Sequence, residues 1–290
     1  MTQDSPNGFT RTFPALTASQ RYHFDVYGYV VIENTLAADE REGLLEALHK
    51  LKRDFESISD NPLGEVVRGC RCTGYTPYNI HFAHVLETDS AVLDHVTHPR
   101  LVSMAAEVVG GTVRLSESEA IINSRDPNSF QEAQPEFGFH TGTRPGYGTY
   151  TGNDLFHSNF VKTLTNLTEL GPDDGGTVVI AGSHKIQAPE ETIIKAAYQD
   201  PSLIHQVVAP AGSTVLFPES LIHATGQIRS DRERAIIITG YTPPMFKADS
   251  GQEPSREFLE NTPEKYHAYL LGDQQWGWRP RYRSLEDLPG

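Results

Sequence analysis

After Gly111 the chain breaks into short runs of β-branched and aromatic residues, and this pattern limits the fold more than any other feature. Glycine, proline, asparagine and aspartate separate the runs, and most of the intervals are too short for the helix of a parallel crossover. The runs cover residues 112–123, 160–170, 176–184, 204–210, 213–218 and 234–244. Several short strands at this spacing predict a sandwich or barrel rather than a parallel α/β sheet.

The first 110 residues are mainly helical in pattern. Thr17 and Gln20 have the spacing of a capping box that opens a short helix, and Gly28 marks its end. A β-rich run follows at 29–34. Residues 37–58 then place large apolar side chains on one stripe, which is typical of a helix packed against a core: Leu44, Leu45, Leu48, Leu51 and Phe55.

We expect a single domain over residues 1–290, mainly β with a helical N-terminal wrap. Its helical N-terminal part spans 16–110 and includes residues 58–86, whose turn-forming residues and weak periodicity indicate a lid loop. The β core spans 111–246. A C-terminal helix and tail occupy 247–290.

The charge balance restricts the partners. The chain has 24 basic and 38 acidic residues, a net charge of −14, which disfavours nucleic acid and anionic membranes. No apolar run approaches the length of a membrane span, and the first residues lack the pattern of a secretory signal. We therefore expect a cytoplasmic protein with a small-molecule substrate and with Cys70 and Cys72 as reduced thiols. The oligomeric state stays open.

Two of the twelve histidines stand at strand ends, where ligands from distant segments meet in a barrel. His140 lies where a strand gives way to the loop FGFHTGTRPGYG, and His223 lies in the segment FPESLIHATG. Neutral imidazole is a common ligand for iron, zinc and copper. Arg234 begins the last apolar run, and a buried arginine needs a partner there, such as the carboxylate of a small acid.

These segments, in this order, resemble the phytanoyl-CoA dioxygenase family of iron(II)- and 2-oxoglutarate-dependent oxygenases. The resemblance is carried by His-x-Gly at 140–142, by GPDDGGTVVIAGSHK at 171–185 and by FPESLIHATGQIRSDRER at 217–234. It extends from about residue 16 to 246, with Ala181 in place of a usual proline. It implies a double-stranded β-helix, a cupin-like jelly-roll, that holds iron at one end.

The resemblance also implies the roles of individual residues. His140 and His223 are expected to bind Fe(II), and Arg234 to bind the distal carboxylate of 2-oxoglutarate, with O2 as the other cosubstrate. Thr225 matches a position that often carries a hydroxyl near 2-oxoglutarate.

Two further residues are expected to face the cosubstrate pocket from neighbouring strands. They are Asn123 and Thr163.

Gly142 stands where the family's usual third ligand, an aspartate, is expected. Glycine offers no ligand, so the sequence predicts an open position beside the iron that water or a halide can fill. Three interpretations follow. An oxygenase takes its carboxylate from elsewhere, with Asp154 as the nearest candidate, or works with two histidines and a water; a halogenase binds chloride at Gly142 with help from Thr143; or the protein has kept the fold and lost the metal.

A non-catalytic jelly-roll that binds a metabolite is a further alternative, from a different class. A zinc hydrolase needs three protein ligands and a base, and the sequence offers only two convincing ligands. An iron(II)- and 2-oxoglutarate-dependent enzyme would consume 2-oxoglutarate, whereas a metabolite-binding jelly-roll or a zinc hydrolase would not. The favoured hypothesis is oxidation of an unactivated C–H bond in a small organic metabolite, of the hydroxylation type.

Overall fold

The computed structural model describes residues 2–4, 10–12, 15–128, 136–142, 148–152 and 155–274. The strands are β1 (Thr2–Asp4), β2 (Thr10–Thr12), β3 (Val30–Ile32), β4 (Val66–Val67), β5 (Cys70–Thr76), β6 (Asn79–Ala83), β7 (Arg114–Asn123), β8 (Thr149–Gly152), β9 (Leu155–Ser158), β10 (Val161–Asn166), β11 (Val178–Ile180), β12 (Ile204–Gln206), β13 (Thr214–Pro218), β14 (His223–Ala224) and β15 (Arg234–Thr242). The helices are α1 (Ala18–Tyr27), α2 (Ala38–Ile58), α3 (Ser90–Val96), α4 (Pro99–Val109), α5 (Glu190–Gln199), α6 (Arg256–Asn261) and α7 (His267–Leu271).

The N-terminal helices form where the sequence predicts them. Thr17 caps α1 by accepting from the backbone of Gln20, whose side chain accepts from Thr17 in return. Gly28 ends this helix with φ of 84°, a left-handed conformation that glycine adopts without strain. In α2 the predicted stripe is buried apart from the half-buried Leu45, and Phe55 stacks on Phe82 of β6 with 5.4 Å between ring centroids.

Two antiparallel sheets form the body of the protein, and their facing surfaces share one apolar cluster. The main sheet has eight strands in the order β3-β13-β10-β15-β7-β6-β5-β4, and the small sheet has the order β12-β11-β14. Val179 of the small sheet packs in the same cluster as Leu164 and Ile238 of the main sheet. This is the predicted jelly-roll, and each of the six β-rich runs contains a strand.

The two faces of the main sheet have different neighbours. Leu164 pairs with Val215 and Ile238 across three strands, and this row faces the small sheet. We call this the inner face. The next row along the strands points the other way, because side chains alternate, and Leu216 on it packs in the cluster that contains the N-terminal helices. We call this the outer face.

Residues 58–86 differ from the predicted lid loop. After α2 ends, β4, β5 and β6 extend the main sheet from β7, and Ile80 and Phe82 are buried. The register of β5 shifts between Cys72 and Gly74, and this bulge interrupts the alternation that marks a strand in a sequence. Cys70 lies on the same buried side as Cys72, and both are free thiols.

In the described ranges, no helix combines the length and the apolar character that crossing a membrane requires.

Candidate active site

His140 and His223 lie side by side at the edge of the small sheet. The backbone N–H of each donates to the carbonyl of the other at 3.0 Å, which joins the 136–142 segment to β14. Residues paired in this way present their side chains on the same face, and the two ring centroids are 4.4 Å apart. The ring of Phe217, an inner-face residue, lies 4.8 Å from that of His223. Both predicted ligands are therefore at the mouth of the space between the sheets.

Each of the two imidazoles is oriented by a backbone carbonyl two residues earlier. His140 Nδ1 lies 3.1 Å from the Gly138 oxygen, and His223 Nδ1 lies 2.8 Å from the Leu221 oxygen. A carbonyl can only accept, so Nδ1 carries the proton and Nε2 keeps its lone pair. Burial lowers the pKa of His223 to about 4, although Glu219 opposes the shift, so this ring is neutral at pH 7. This arrangement suits metal ligation through Nε2.

The segment that carries His140 is fixed from both sides. Phe139 packs against a small apolar cluster formed by β11, α5 and the turn before β14. Thr141 donates a 2.8 Å hydrogen bond to Glu190, the first residue of α5. These contacts hold the backbone of His140 against β14.

Arg234 is the first residue of β15, and its side chain is on the inner face with Ile236 and Ile238. It is 1% exposed. Its Nη1 lies 3.5 Å from the side-chain oxygen of Asn123, which is opposite it on β7, and this is too long for a strong hydrogen bond. Within the described ranges no carboxylate forms an ion pair with it, and burial alone lowers its pKa to about 10. A buried guanidinium in this state fits the carboxylate of a ligand.

Thr163 does not face the pocket, contrary to the prediction. It pairs with Leu216 and Thr239, a row on the outer face, and lies beneath the N-terminal helices. Asn123 does lie on the inner face, opposite Arg234. Thr225 is exposed in the coil that follows β14.

Thr143 and Asp154, the predicted halide donor and alternative ligand, lie outside the described residues.

The position beside Gly142 is filled, whereas the sequence predicts it to be open. The Gly142 N–H donates to the backbone oxygen of Glu219 at 3.0 Å. A Cβ atom on residue 142 would lie 1.7 Å from Oε2 of Glu219, so a carboxylate already takes up the space that the missing side chain leaves. Glu219 is 3% exposed. The prediction that water or a halide can fill this position is therefore wrong for this structure.

Lys162 connects Glu219 to a second buried carboxylate. Its Nζ lies 3.1 Å from Glu219 Oε1 and 2.7 Å from Glu117 Oε1. Lys162, Gly240 and Glu117 form one row across β10, β15 and β7. A Cβ on Gly240 would lie 2.5 Å from Glu117 Cγ, so glycine at this position allows the two side chains to meet. Burial acts to lower the pKa of Lys162, but the two carboxylates raise it, and the amine stays charged.

Neither Glu219 nor Lys162 is among the residues predicted from the sequence. The available signals are a lysine inside an apolar strand and a glutamate four residues before His223, directly after β13. Within the described part of the chain, no three His, Cys, Asp or Glu side chains are close enough as placed to hold a metal ion. The site therefore presents two imidazoles ready for a metal and a neighbouring carboxylate that is engaged with a lysine.

Comparison with known proteins gives a family and a fold. The sequence model of the phytanoyl-CoA dioxygenase (PhyH) family matches residues 24–236. The dioxygenase cdmD of Talaromyces verruculosus is 30% identical over 121 residues, which is 41% of this chain and 36% of that protein. The match thus spans little more than a third of the curated relative.

Solved structures of similar fold include two proteins crystallised with a metal ion and 2-oxoglutarate (alpha ketoglutarate). HygX from Streptomyces hygroscopicus, crystallised with nickel and 2-oxoglutarate, has a TM-score of 0.61 at 20% identity, over 80% of this chain and 89% of HygX. The epimerase SnoN, in complex with Fe3+, alpha ketoglutarate and nogalamycin RO, has a TM-score of 0.56 at 18% identity, over 82% and 89%. At these identities the likeness shows the fold.

Proposed function

The chain belongs to the phytanoyl-CoA dioxygenase (PhyH) family, and from this premise we propose that it is a dioxygenase-type enzyme that oxidises an unactivated C–H bond of a small organic metabolite. The proposed cofactor is Fe(II) held by His140 and His223, and the cosubstrates are 2-oxoglutarate and O2. Hydroxylation is the proposed outcome. The solved relatives support a substrate of this class, since HygX has been crystallised with hygromycin B and SnoN with nogalamycin RO.

The observation that carries the proposal is the state of Arg234. Its guanidinium is 1% exposed, on the inner face, and in the described ranges it has no carboxylate partner. An unpaired charge in such a place is costly, and a ligand that supplies the counter-charge offsets this cost. The planar guanidinium matches a carboxylate in bidentate geometry. The distal carboxylate of 2-oxoglutarate meets this requirement.

The two histidines would bind the metal, and Arg234 would bind the cosubstrate. Fe(II), when bound, supplies the activation of O2 that cleaves the C–H bond. His140 and His223 would hold it through Nε2, each fixed by the carbonyl that accepts from its Nδ1. Arg234 would fix the far end of 2-oxoglutarate, and Asn123 lies beside it on β7.

Chlorination receives less support than hydroxylation. The halogenase alternative depends on an open position beside Gly142, and the carboxylate of Glu219 occupies that position. A carboxylate there would also repel a bound chloride.

An anaerobic titration tests the proposal without knowledge of the substrate. Apo-protein receives Fe(II), then 2-oxoglutarate, with and without chloride, while the visible charge-transfer band of the iron–oxoglutarate chelate is followed. We expect the band to appear and to be insensitive to chloride. Absence of the band would contradict an oxygenase and favour the metabolite-binding alternative. A band that chloride shifts would favour the halogenase.

A further inference from the structure

We propose that Glu219 is the third protein ligand of the iron, so that the carboxylate missing at Gly142 is supplied from the end of β13. This inference rests on the function proposed above, because it concerns the same metal. It assigns to the chain a site made of His140, His223 and Glu219, in which the carboxylate comes from the segment of the second histidine instead of the segment of the first.

The position of the Glu219 carboxylate carries the inference. An aspartate at position 142 would place its oxygens two covalent bonds beyond Cβ, and Oε2 of Glu219 lies 1.7 Å from where that Cβ would be. The carboxylate of Glu219 is therefore in the region that an aspartate side chain of residue 142 would occupy. It enters this region from the opposite side, from a residue far away in the sequence.

The two oxygens of Glu219 have different surroundings. Oε1 is 3.1 Å from the ammonium of Lys162, whereas Oε2 is the atom that points at Gly142. Metal-bound carboxylates are commonly held by a hydrogen bond to one oxygen. Lys162 would act as a positioning residue of this kind, and Glu117 would keep Lys162 in place at 2.7 Å. The pair formed by Lys162 and Glu219 is thus compatible with ligation by the other oxygen.

The backbone ties the three candidate ligands to one another. His140 and His223 are joined by two main-chain hydrogen bonds, and two residues further on the Gly142 N–H donates to the Glu219 oxygen. The Glu219 N–H in turn donates to the oxygen of Phe160. Because the main chain is fixed at each of these points, rotation of the Glu219 side chain is the movement required to bring its carboxylate to the two imidazoles.

The chemistry of the donor set agrees with this assignment. Imidazole ligands contribute no charge, so both charges of Fe(II) would be uncompensated in a site where His223 is 8% exposed. A carboxylate supplies one negative charge and a hard oxygen donor, and two histidines with one carboxylate form the set that leaves iron open to O2 and cosubstrate.

Titration of the apo-protein with Co(II), followed by calorimetry and by the visible d–d bands, tests the ligand set independently of activity. The unmodified protein is expected to bind one Co(II). Glu219→Gln keeps the shape of the side chain and removes its charge, and we expect it to weaken Co(II) binding by at least about the 10- to 100-fold that loss of a supporting partner already causes. The bands should change in shape and intensity as well.

A variant that moves the carboxylate from residue 219 to residue 142 gives a more decisive test than Glu219→Gln alone. Gly142 has no left-handed backbone that would resist a side chain. Gly142→Asp alone places two carboxylates in one space and is not expected to strengthen binding. In the Glu219→Ala background the same change is expected to restore Co(II) affinity, which a merely structural role for Glu219 would not produce.

Asp174→Asn is the matched control, since Asp174 is 4% exposed and its carboxylate likewise contacts a cation, Arg232, at 3.1 Å, but it has no role in the proposed site. Unchanged Co(II) affinity is expected. If Glu219→Gln binds Co(II) as tightly as the unmodified protein does, the inference is wrong and the proposed function stands. If the unmodified protein binds no Co(II) and forms no iron–oxoglutarate chelate, both the inference about Glu219 and the proposed function are wrong. Equal losses in Asp174→Asn and Glu219→Gln would show a structural role only.

Discussion

Replacement of Arg234 by methionine is expected to weaken 2-oxoglutarate binding by roughly 10²- to 5 × 10³-fold, which corresponds to the about 3–5 kcal/mol that loss of one partner of a buried ion pair costs. The guanidinium is 1% exposed, and no carboxylate in the described part of the chain shares its charge. The cosubstrate would therefore lose its only strong counter-charge at that end. The measurement is the concentration of 2-oxoglutarate that gives half of the chelate absorbance under anaerobic conditions.

Arg114→Met is the matched control, and the two variants should differ in stability as well. Arg114 also opens a strand and is 6% exposed, but its guanidinium donates to the carbonyls of four residues, which are Leu115, Phe246, Leu270 and Leu271. Its loss removes the donor to all four carbonyls, two of which belong to the buried residues Leu115 and Leu270, and should lower Tm. Arg234→Met removes an unpaired charge and should leave Tm of the cosubstrate-free protein unchanged or higher.

The opposite pattern would reject Arg234 as the cosubstrate anchor. An unchanged 2-oxoglutarate requirement in Arg234→Met would mean that the carboxylate is held elsewhere. A fall in Tm similar to that of Arg114→Met would mean that the guanidinium stabilises the folded protein through contacts of its own. Added 2-oxoglutarate with Fe(II) should raise Tm of the unmodified protein and of Arg114→Met, but not of Arg234→Met.

The sequence predicts the elements well where their signals are local. The capping box of α1 and the apolar stripe of α2 are complete within a few residues, and both helices form as predicted. The six β-rich runs are strands for the same reason. The hairpin of β5 and β6 is missed because the bulge between Cys72 and Gly74 breaks the period on which recognition of a strand depends.

The faces of the central strands are harder to predict than their existence. β10 is buried on both sides, since helices cover the outer face and the small sheet covers the inner face. A strand of this kind has no polar side to mark its orientation. Thr163 is for this reason predicted to face the pocket, whereas Lys162, one residue earlier, is the side chain that does so.

The sequence predicts that His140 and His223 meet at strand ends, and the structure brings them together, whereas their roles and that of Arg234 stay predictions. Glu219 is not predictable in the same way. Its relation to Gly142 depends on the antiparallel bridge that brings two distant segments together, and a sequence pattern does not contain that contact. The absence of a carboxylate at position 142 is visible in the sequence, but its replacement becomes visible only in the structure.

Replacement of His223 by alanine is expected to abolish the iron–oxoglutarate chelate and any iron-dependent formation of succinate. His223 is 8% exposed, neutral, and held with Nε2 free to bind a metal, so its loss removes one of two imidazole donors. The decrease in metal affinity should exceed the roughly 10- to 100-fold that changing a partner of a ligand costs. Calorimetric titration with Fe(II) under anaerobic conditions measures it.

His157→Ala is the appropriate comparison, because it separates metal binding from the general cost of removing a buried imidazole. His157 is 5% exposed, and its Nδ1 lies 3.0 Å from the Val108 oxygen, so it resembles His223 in burial and in its backbone contact. Both variants create a cavity and should lower Tm to a similar extent. Only His223→Ala should lose Fe(II). Equal metal affinities in the two variants would place the iron elsewhere in the protein, since a site at the bridge between His140 and β14 requires the second histidine.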